Sequence, residues 1–313
     1  MLLARGDDRA RSGDPRAAVS FYQEALRRAG AKRFVDPGAI AGLRRAQAFI
    51  QERMKDFGQS LDVALQDVQP DSSIAALRLT HAVEMVKGSR GIFPQQPSML
   101  YYPYLAQRQY FEREEFGWAT ELEAATTDIG RELAALLDEG ADFSPYVEDS
   151  PDRPQRDFHG LNNSRAWTAL YLWKHGTPVH EMAERCPATT AALAKVPLSR
   201  IGSRTPSVFF SRLEPGAHIP PHTGMLNSRL ICHLPLIVPP GCWLRVGNEV
   251  REWEEGKLLI FDDSIEHEAR NPTDEVRIVL IFDIWRPELS AAEREGISAI
   301  FNAIDAFRGV PSE

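Results

Sequence analysis

The chain has 313 residues, of which 43% are hydrophobic and 26% are charged, a composition typical of a folded globular protein. Its formal net charge of −8 argues against an electrostatic affinity for nucleic acid or anionic membranes. No apolar run reaches the roughly 20 residues of a membrane span, and the N-terminus lacks a signal-peptide core. We therefore expect a cytoplasmic protein. Cys186, Cys232 and Cys242 lack metal-site spacing and are predicted to be free, buried thiols.

The N-terminal third has a helical pattern. In RSGDPRAAVSFYQEALRRAG, the residues Ala18, Tyr22 and Ala25 recur on one face of a predicted helix. This segment resembles a single tetratricopeptide-type repeat. Further helices are predicted from Ile40 to about Leu65 and from Ser73 to about Val86. These helices either cap the main domain or bind a protein partner, and the pattern does not decide between the two.

The segment GSRGIFPQQPSMLYYPYL interrupts the helices with Gly and Pro, which predicts a boundary near residue 90. We therefore expect a helical region over residues 1–90 and a second domain over residues 91–313. The second domain is predicted to begin with a helix from about Glu112 to Glu139. The Pro-rich and Asp-rich segment SPYVEDSPDRPQRDFHG that follows is predicted to be a loop.

From Trp167 onwards the sequence is typical of β-strands. Runs of β-branched and aromatic residues are bounded by Pro, Gly, Asn and Asp, and Gly247-Asn248 suits a two-residue hairpin turn. Strands at this spacing indicate a barrel or a double-sheet jelly roll. The chain ends in a predicted amphipathic helix that opens with Ser290 and Glu293 at capping-box spacing. The strand-like segments are AWTALYLW, RTPSVFFSRLEPG, SRLICHLPLIVP, CWLRVGNEVREWEEGKLLIFDD and VRIVLIFDIW.

Two histidines, His222 and His267, lie 45 residues apart at the ends of strand-like runs. Two imidazoles from neighbouring strands, completed by oxygen donors, suit Fe(II). In the usual iron oxygenase site a carboxylate follows two residues after the first histidine, but Gly224 occupies that position here. On spacing alone, two core histidines with satisfied hydrogen bonds are the favoured interpretation.

Three segments change that interpretation: PHTGMLNSRL with HLPLIVP, then EWEEGKLLIFDDSIEHE, then RIVLIFDIWRPEL. Between about Ser98 and Leu289 the chain closely resembles the aspartyl/asparaginyl β-hydroxylase family. The resemblance implies an α+β fold with a double-stranded β-helix (jelly roll, cupin-like) core, flanking helices and the N-terminal helical region. It also implies Fe(II) bound by His222 and His267 as the catalytic centre. Family members carry HTG at the first histidine, so water is expected where other oxygenases have a carboxylate.

The implied reaction uses O2 and the co-substrate 2-oxoglutarate, which is converted to succinate and CO2, to hydroxylate the β-carbon of an Asp or Asn. The substrate is a peptide, a carrier-bound residue or a free amino acid. Arg277 and Ser211 match the family residues that bind the distal carboxylate of 2-oxoglutarate. His233 matches a histidine beside the co-substrate, and Trp167 matches an aromatic residue of the pocket wall. Asn227 occupies a motif position without an assigned contact.

One position departs from the family. Animal members have an arginine two residues before the co-substrate histidine, contacting the C1 carboxylate of 2-oxoglutarate, whereas this chain has Ile231. Either Arg229 or another group replaces that contact, or the iron alone neutralises C1. Asp262, Asp263 and Glu266 precede the second histidine, and we interpret them as a hydrogen-bonded turn rather than as a third ligand.

Two alternatives stay open at this point. A site with glycine in place of the carboxylate can admit chloride, which would make the protein a 2-oxoglutarate-dependent halogenase. The other alternative is a non-catalytic jelly-roll binding module with a helical adaptor. The sequence favours the hydroxylase over both because of the family resemblance.

Overall fold

The computed structural model describes residues 1–31, 36–149, 154, 157–202 and 204–308. The chain divides into two compact units, Met1–Ile92 and Phe93–Glu313. None of the helices in the described ranges is both long enough and apolar enough to cross a bilayer.

The first unit is helical, as predicted. On its second helix, Ala18, Tyr22 and Ala25 are buried, which confirms the helical face read from the sequence. A side chain on Gly6 would collide with the Tyr22 ring, so the close approach of the first two helices requires glycine there. The tetratricopeptide-type assignment stays a prediction. The helices of this unit are α1 (Leu2–Arg11), α2 (Pro15–Gly30), α3 (Pro37–Leu65) and α4 (Ser73–Lys87).

The second unit combines strands with flanking helices. Its helices are α5 (Ala119–Ala124), α6 (Thr126–Asp138), α7 (His180–Arg185), α8 (Pro187–Leu193) and α9 (Ala291–Arg308). Its strands are β1 (Tyr110–Phe111), β2 (Ser144–Pro145), β3 (Trp167–Lys174), β4 (Thr177–Pro178), β5 (Val208–Leu213), β6 (His218–His222), β7 (Arg229–Ile237), β8 (Trp243–Val246), β9 (Glu249–Glu252), β10 (Leu259–Phe261), β11 (His267–Arg270) and β12 (Arg277–Trp285).

The predicted single helix from Glu112 to Glu139 is wrong. That segment holds a 3-10 turn, Arg113–Glu115, followed by α5 and α6, which meet at Ala125. Gly117 and two consecutive threonines are poor helix formers, and the Thr126 hydroxyl donates to the backbone carbonyl of Glu123 at 2.6 Å. The predicted loop after α6 contains the short strand β2, and its residues 150–153, 155 and 156 lie outside the described residues.

The strands of the described residues form two antiparallel sheets, which confirms the predicted jelly roll. The larger sheet has the order β1-β10-β7-β12-β5-β3-β2 with β4 paired to β3, and the smaller sheet has the order β6-β11-β8-β9. The predicted turn at Gly247-Asn248 joins β8 to β9. The predicted capping box also forms, because the Ser290 and Glu293 side chains each accept from the other residue's backbone N–H.

The larger sheet is buried on both faces at β12, where every residue is buried and most are apolar. Ile278, Leu280 and Phe282 belong to the core that includes α5, α6 and α8. Val279 and Ile281 belong to the core between the two sheets. Since side chains alternate along a strand, the charged residues that share the parity of Val279 also face the space between the sheets. The three cysteines are free and buried, as predicted.

Candidate active site

The two histidines predicted to bind metal are cross-strand neighbours in the smaller sheet. His222 ends β6 and His267 begins β11, their Cα atoms are paired in register, and their ring centroids lie 4.1 Å apart. His222 Nδ1 lies 2.8 Å from the Pro220 carbonyl oxygen, and His267 Nδ1 lies 3.0 Å from that of Ile265. A carbonyl oxygen only accepts, so each Nδ1 carries a proton and donates, which leaves both Nε2 lone pairs available to a metal ion.

The charge state of this pair also suits a metal. Burial lowers the pKa of His222 below its usual value, and burial together with the neighbouring imidazole lowers the pKa of His267 to about 3. Both rings are therefore neutral at physiological pH, which is the form that binds metal ions. Within the residues that the structure describes, no group of three or more His, Cys, Asp or Glu side chains could hold a metal ion.

The Asp263 carboxyl group, interpreted from the sequence as part of a turn, requires glycine at position 224. A Cβ atom on Gly224 would collide with Asp263 Oδ2, so Asp263 occupies the space into which a ligand at position 224 would project. Burial raises the pKa of Asp263 to about 6, so the group is ionised at neutral pH. The predicted turn is confirmed for Asp262, whose Oδ1 accepts from the Ser264 N–H at 3.0 Å. For Asp263 the turn interpretation misses that its side chain faces the cavity.

The third acid of that segment lies outside the cavity. Glu266 forms an ion pair with Arg245 at 2.9 Å, and its side chain is 40% exposed. The interpretation that Glu266 is not a metal ligand therefore agrees with its position.

Arg277 begins β12 and lines the same cavity as the histidine pair. The residue is 1% exposed, its Nε has no hydrogen-bond partner, and in the described residues no carboxylate forms an ion pair with it. Its Nη1 donates to the Ser211 carbonyl oxygen at 3.2 Å, and its guanidinium lies 4.7 Å from the centre of the Trp253 ring. Burial lowers the pKa of Arg277 to about 10. A buried guanidinium without an anion is costly, so this arrangement fits the carboxylate of a ligand.

Two neutral donors flank Arg277. Trp167 Nε1 donates to Ser211 Oγ at 3.1 Å, which leaves the Ser211 hydroxyl proton free to donate to a ligand. Trp253 Nε1 lies 3.2 Å from His233 Nδ1; since the indole N–H only donates, Nδ1 accepts and the His233 proton is on Nε2. Burial lowers the pKa of His233 well below its usual value. His233 is therefore a neutral donor.

Trp253 is a site residue that the sequence interpretation missed. It is 6% exposed, contacts both Arg277 and His233, and lies in the segment EWEEGK. The available signal was one large aromatic residue surrounded by acidic residues just before a strand. That signal indicates burial but does not reveal which side chains Trp253 contacts.

Arg229 lines the same cavity but is already ion-paired. Its Nη1 lies 3.0 Å from Asp283 Oδ2 and its Nη2 lies 3.2 Å from Asp263 Oδ2. Burial alone would lower the pKa of Arg229, but these two carboxylates raise it above its usual value. Arg229 is thus a charged residue whose charge is compensated within the protein. Ile231, two residues further along β7, pairs in register with Asp283.

Asn227 holds the chain that borders the site. Its Oδ1 accepts from the Tyr102 backbone N–H at 2.6 Å, and its Nδ2 donates to Gln95 Oε1 at 3.0 Å. Gln95 in turn donates to Asp262 at 2.6 Å. Asn227 therefore anchors the segment after the first unit to the turn that precedes His267, and it makes no contact that would suit a ligand.

A single cavity of about 310 Å³ joins these groups. Its wall is aromatic: Tyr146 stacks on Trp167 with ring centroids 4.0 Å apart, and Phe158 meets His222 edge-on at 5.3 Å. Phe209 continues the wall beside Tyr146. The residues predicted from the sequence that line it are Trp167, Ser211, His222, Arg229, His233, His267 and Arg277.

Comparisons with known proteins agree with the resemblance seen in the sequence. The model of the family described as Aspartyl/Asparaginyl beta-hydroxylase matches residues 123–287. The mouse protein named aspartyl/asparaginyl beta-hydroxylase is 42% identical over 141 residues, which cover 45% of this chain and 19% of that protein. An ornithine lipid ester-linked acyl 2-hydroxylase of Rhizobium tropici is 36% identical over 62% of this chain and 66% of its own length.

The human aspartate beta-hydroxylase domain-containing protein 2 is 32% identical over 66% of this chain and 55% of its own length. The chain thus matches about a fifth of the mouse relative and about half of the human one. Among solved structures, the cupin domain of Schizosaccharomyces pombe Cnp3 aligns at a TM-score of 0.27 with 9% identity, over 47% of this chain and 74% of that one. The jelly-roll assignment rests on the strand order of the two sheets.

Proposed function

The chain belongs to the aspartyl/asparaginyl β-hydroxylase family, and on this premise we propose that residues 91–313 form a dioxygenase that depends on Fe(II) and 2-oxoglutarate. The enzyme hydroxylates the β-carbon of an Asp or Asn, in a peptide, carrier-bound or free. The observation that carries the proposal is one cavity lined both by a neutral histidine pair, His222 and His267, and by a buried cation, Arg277, that has no carboxylate partner among the described residues.

The donor set fits Fe(II). Both imidazoles offer Nε2, and Asp263 places a negative charge beside the pair from the position that a side chain at Gly224 would need. This charge favours a divalent cation without adding a third protein ligand. Bound iron and 2-oxoglutarate together supply the oxidant that hydroxylates the substrate carbon.

The groups around Arg277 fit the dianionic co-substrate. Arg277 and the Ser211 hydroxyl bind its distal carboxylate, and the Nε2–H of His233 donates to the same molecule. The stacked rings of Tyr146 and Trp167 orient the substrate and exclude water, which protects the reacting atoms from side reactions.

The halogenase alternative loses support at Gly224. A chloride ligand would have to sit beside the carboxylate of Asp263, where the two negative charges repel each other. The binding-module alternative predicts tight binding without turnover, and the following experiment separates it from the hydroxylase.

The test combines the protein with Fe(II), 2-oxoglutarate, O2 and peptides containing Asp or Asn, with succinate and a mass gain of one oxygen as readouts. Substitutions His222→Ala and His267→Ala are expected to abolish succinate release and the stabilisation of the protein by Mn(II). His218→Ala is the matched control, because His218 lies on the same strand, pairs with Glu268 at 2.7 Å and is 41% exposed. Turnover that persists in both active-site variants would overturn the proposal.

A protein partner bound through the N-terminal helices stays a prediction. The feature that supports it is α4, which has no buried residue in the structure and exposes Ile74, Leu77 and Val86. Removal of residues 1–90 is expected to leave 2-oxoglutarate binding intact if the region serves only as an adaptor.

A further inference from the structure

In the described part of the chain, the arginines that line the active-site cavity are Arg204, Arg229 and Arg277. Arg204 forms an ion pair with Asp305. Arg277 has no carboxylate partner, and the proposed function assigns it to the distal carboxylate of 2-oxoglutarate. A second anionic group in the cavity would therefore have to rely on Arg229.

Arg229 has no positive charge to spare. It is shared between Asp263 and Asp283, so these three side chains together carry one net negative charge. Two buried atoms of this trio lack a hydrogen-bond partner. They are Nε of Arg229, which is a donor, and Oδ1 of Asp263, which is an acceptor. A ligand group that offers both an acceptor and a donor complements this pair. A carboxylate offers acceptors only and lies against Asp263.

The neighbouring position provides no cation either. Ile231 pairs in register with Asp283 and lines the cavity with an apolar side chain. The two positive charges of Fe(II) balance the two negative charges of 2-oxoglutarate, and Arg277 balances the negative trio around Arg229. The loaded site is therefore neutral before a substrate enters.

A substrate carboxylate would add an uncompensated negative charge inside an aromatic wall. Such a charge is costly in a low-dielectric cavity, and the nearby Asp263 repels it further. A carboxamide of the same shape adds no charge. We infer that the substrate residue of this enzyme is uncharged, asparagine rather than aspartate, recognised by the Arg229–Asp263 pair; the inference rests on the proposed function.

The experiment uses two randomised peptide libraries that are identical except for a central Asn or a central Asp. Each is offered to the full chain with Fe(II), 2-oxoglutarate and O2, and hydroxylated peptides are counted by mass spectrometry. Binding of peptides selected from each library is measured separately by NMR. In these samples diamagnetic Zn(II) replaces Fe(II), and N-oxalylglycine replaces 2-oxoglutarate. We expect at least roughly tenfold preference for Asn in both turnover and binding, the size typical of an unpaired buried charge.

Two variants at Ile231 make the cause testable. Ile231→Arg supplies the missing cation and is expected to shift the Asn-to-Asp preference by roughly tenfold or more towards Asp, as a new ion pair in a buried site does. Ile231→Leu keeps the side chain apolar at the same volume and is expected to retain the preference for Asn. An Asp preference in the wild type would overturn the inference while leaving the proposed hydroxylase intact, as would an unchanged preference in Ile231→Arg.

A third arm offers mixed micelles of an acylated amino-acid lipid. Hydroxylation of the acyl chain, without turnover of either peptide library, would overturn the asparagine assignment and the Asp/Asn function together. Absence of Fe(II)-dependent succinate release with all three substrates, combined with tight binding of a peptide, would overturn the catalytic proposal itself. Peptide binding with equal affinity for Asn and Asp would then overturn the inference as well.

Discussion

Replacing Arg277 by methionine is predicted to stabilise the ligand-free protein and to weaken 2-oxoglutarate binding at the same time. The guanidinium is almost fully buried, has no carboxylate partner in the described residues, and has its pKa lowered by burial from its usual value to about 10. One pKa unit corresponds to about 1.4 kcal/mol, so keeping this group charged at neutral pH costs the folded protein about 3 kcal/mol. The cost applies fully below the folded pKa, and methionine removes it. We expect the free energy of unfolding to rise by about 1 to 3 kcal/mol.

The same substitution removes the charged donor for the co-substrate. Losing one partner of a buried, hydrogen-bonded charge pair costs about 3 kcal/mol, so 2-oxoglutarate should bind roughly 100-fold more weakly. Urea unfolding of the ligand-free protein and calorimetric titration with 2-oxoglutarate in the presence of Mn(II) measure the two effects, and the Mn(II) affinity should not change. Arg212→Met is the control, since Arg212 is half-buried on β5 and paired with Glu214 at 2.7 Å. Unchanged 2-oxoglutarate affinity in Arg277→Met would refute this reasoning.

Three further predictions follow from the site. Because burial lowers the pKa of His267 to about 3, the unfolded chain binds a proton near pH 6.5 that the folded chain does not. When the pH falls from about 7.5 to about 5, the free energy of unfolding of the metal-free wild type should therefore decrease by up to about 2 kcal/mol more than that of His267→Gln. Equal decreases in the two proteins would contradict a buried, neutral His267 ring. Trp253→Phe keeps a ring against Arg277 but removes the hydrogen-bond donor to His233. The His233 ring should then show mixed tautomers by 15N NMR, and 2-oxoglutarate should bind about fivefold more weakly. An unchanged His233 tautomer would exclude this role of Trp253. Gly224→Ala should destabilise the protein by about 1 to 3 kcal/mol in urea unfolding because its Cβ meets Asp263, and adding Asp263→Ala should restore part of that loss; strict additivity would contradict the collision.

Only part of the site can be predicted from the pattern within one strand. Arg277 is identifiable because it is a charge inside an apolar run, and the spacing of such runs indicates a barrel or a jelly roll. His222 and His267 lie at the ends of strand-like segments, but their spacing alone favours core histidines. Their role as iron ligands is implied by the family resemblance.

The parts that the sequence does not predict depend on how distant segments meet. Asp262 and Asp263 are adjacent, and only the packing of their turn against Gly224 decides which carboxyl group faces the cavity. The contacts of Trp253 with His233 and Arg277 join three segments whose relative positions no short motif encodes. The helix predicted through Ala125 is wrong for a related reason, since core packing and weak helix formers outweigh the apolar period. The cytoplasmic location also stays a prediction.

The central claim is that one ferrous ion is held by two histidines and by no carboxylate of the protein. The most direct measurement is a crystal structure of the full chain loaded with Mn(II) and N-oxalylglycine, in which anomalous scattering locates the metal. We predict one ion bonded at roughly 2 Å to Nε2 of His222 and Nε2 of His267, with the Asp263 carboxylate unbound. An ion held through Nδ1, an ion bonded directly to Asp263, or an ion elsewhere in the molecule would contradict the account.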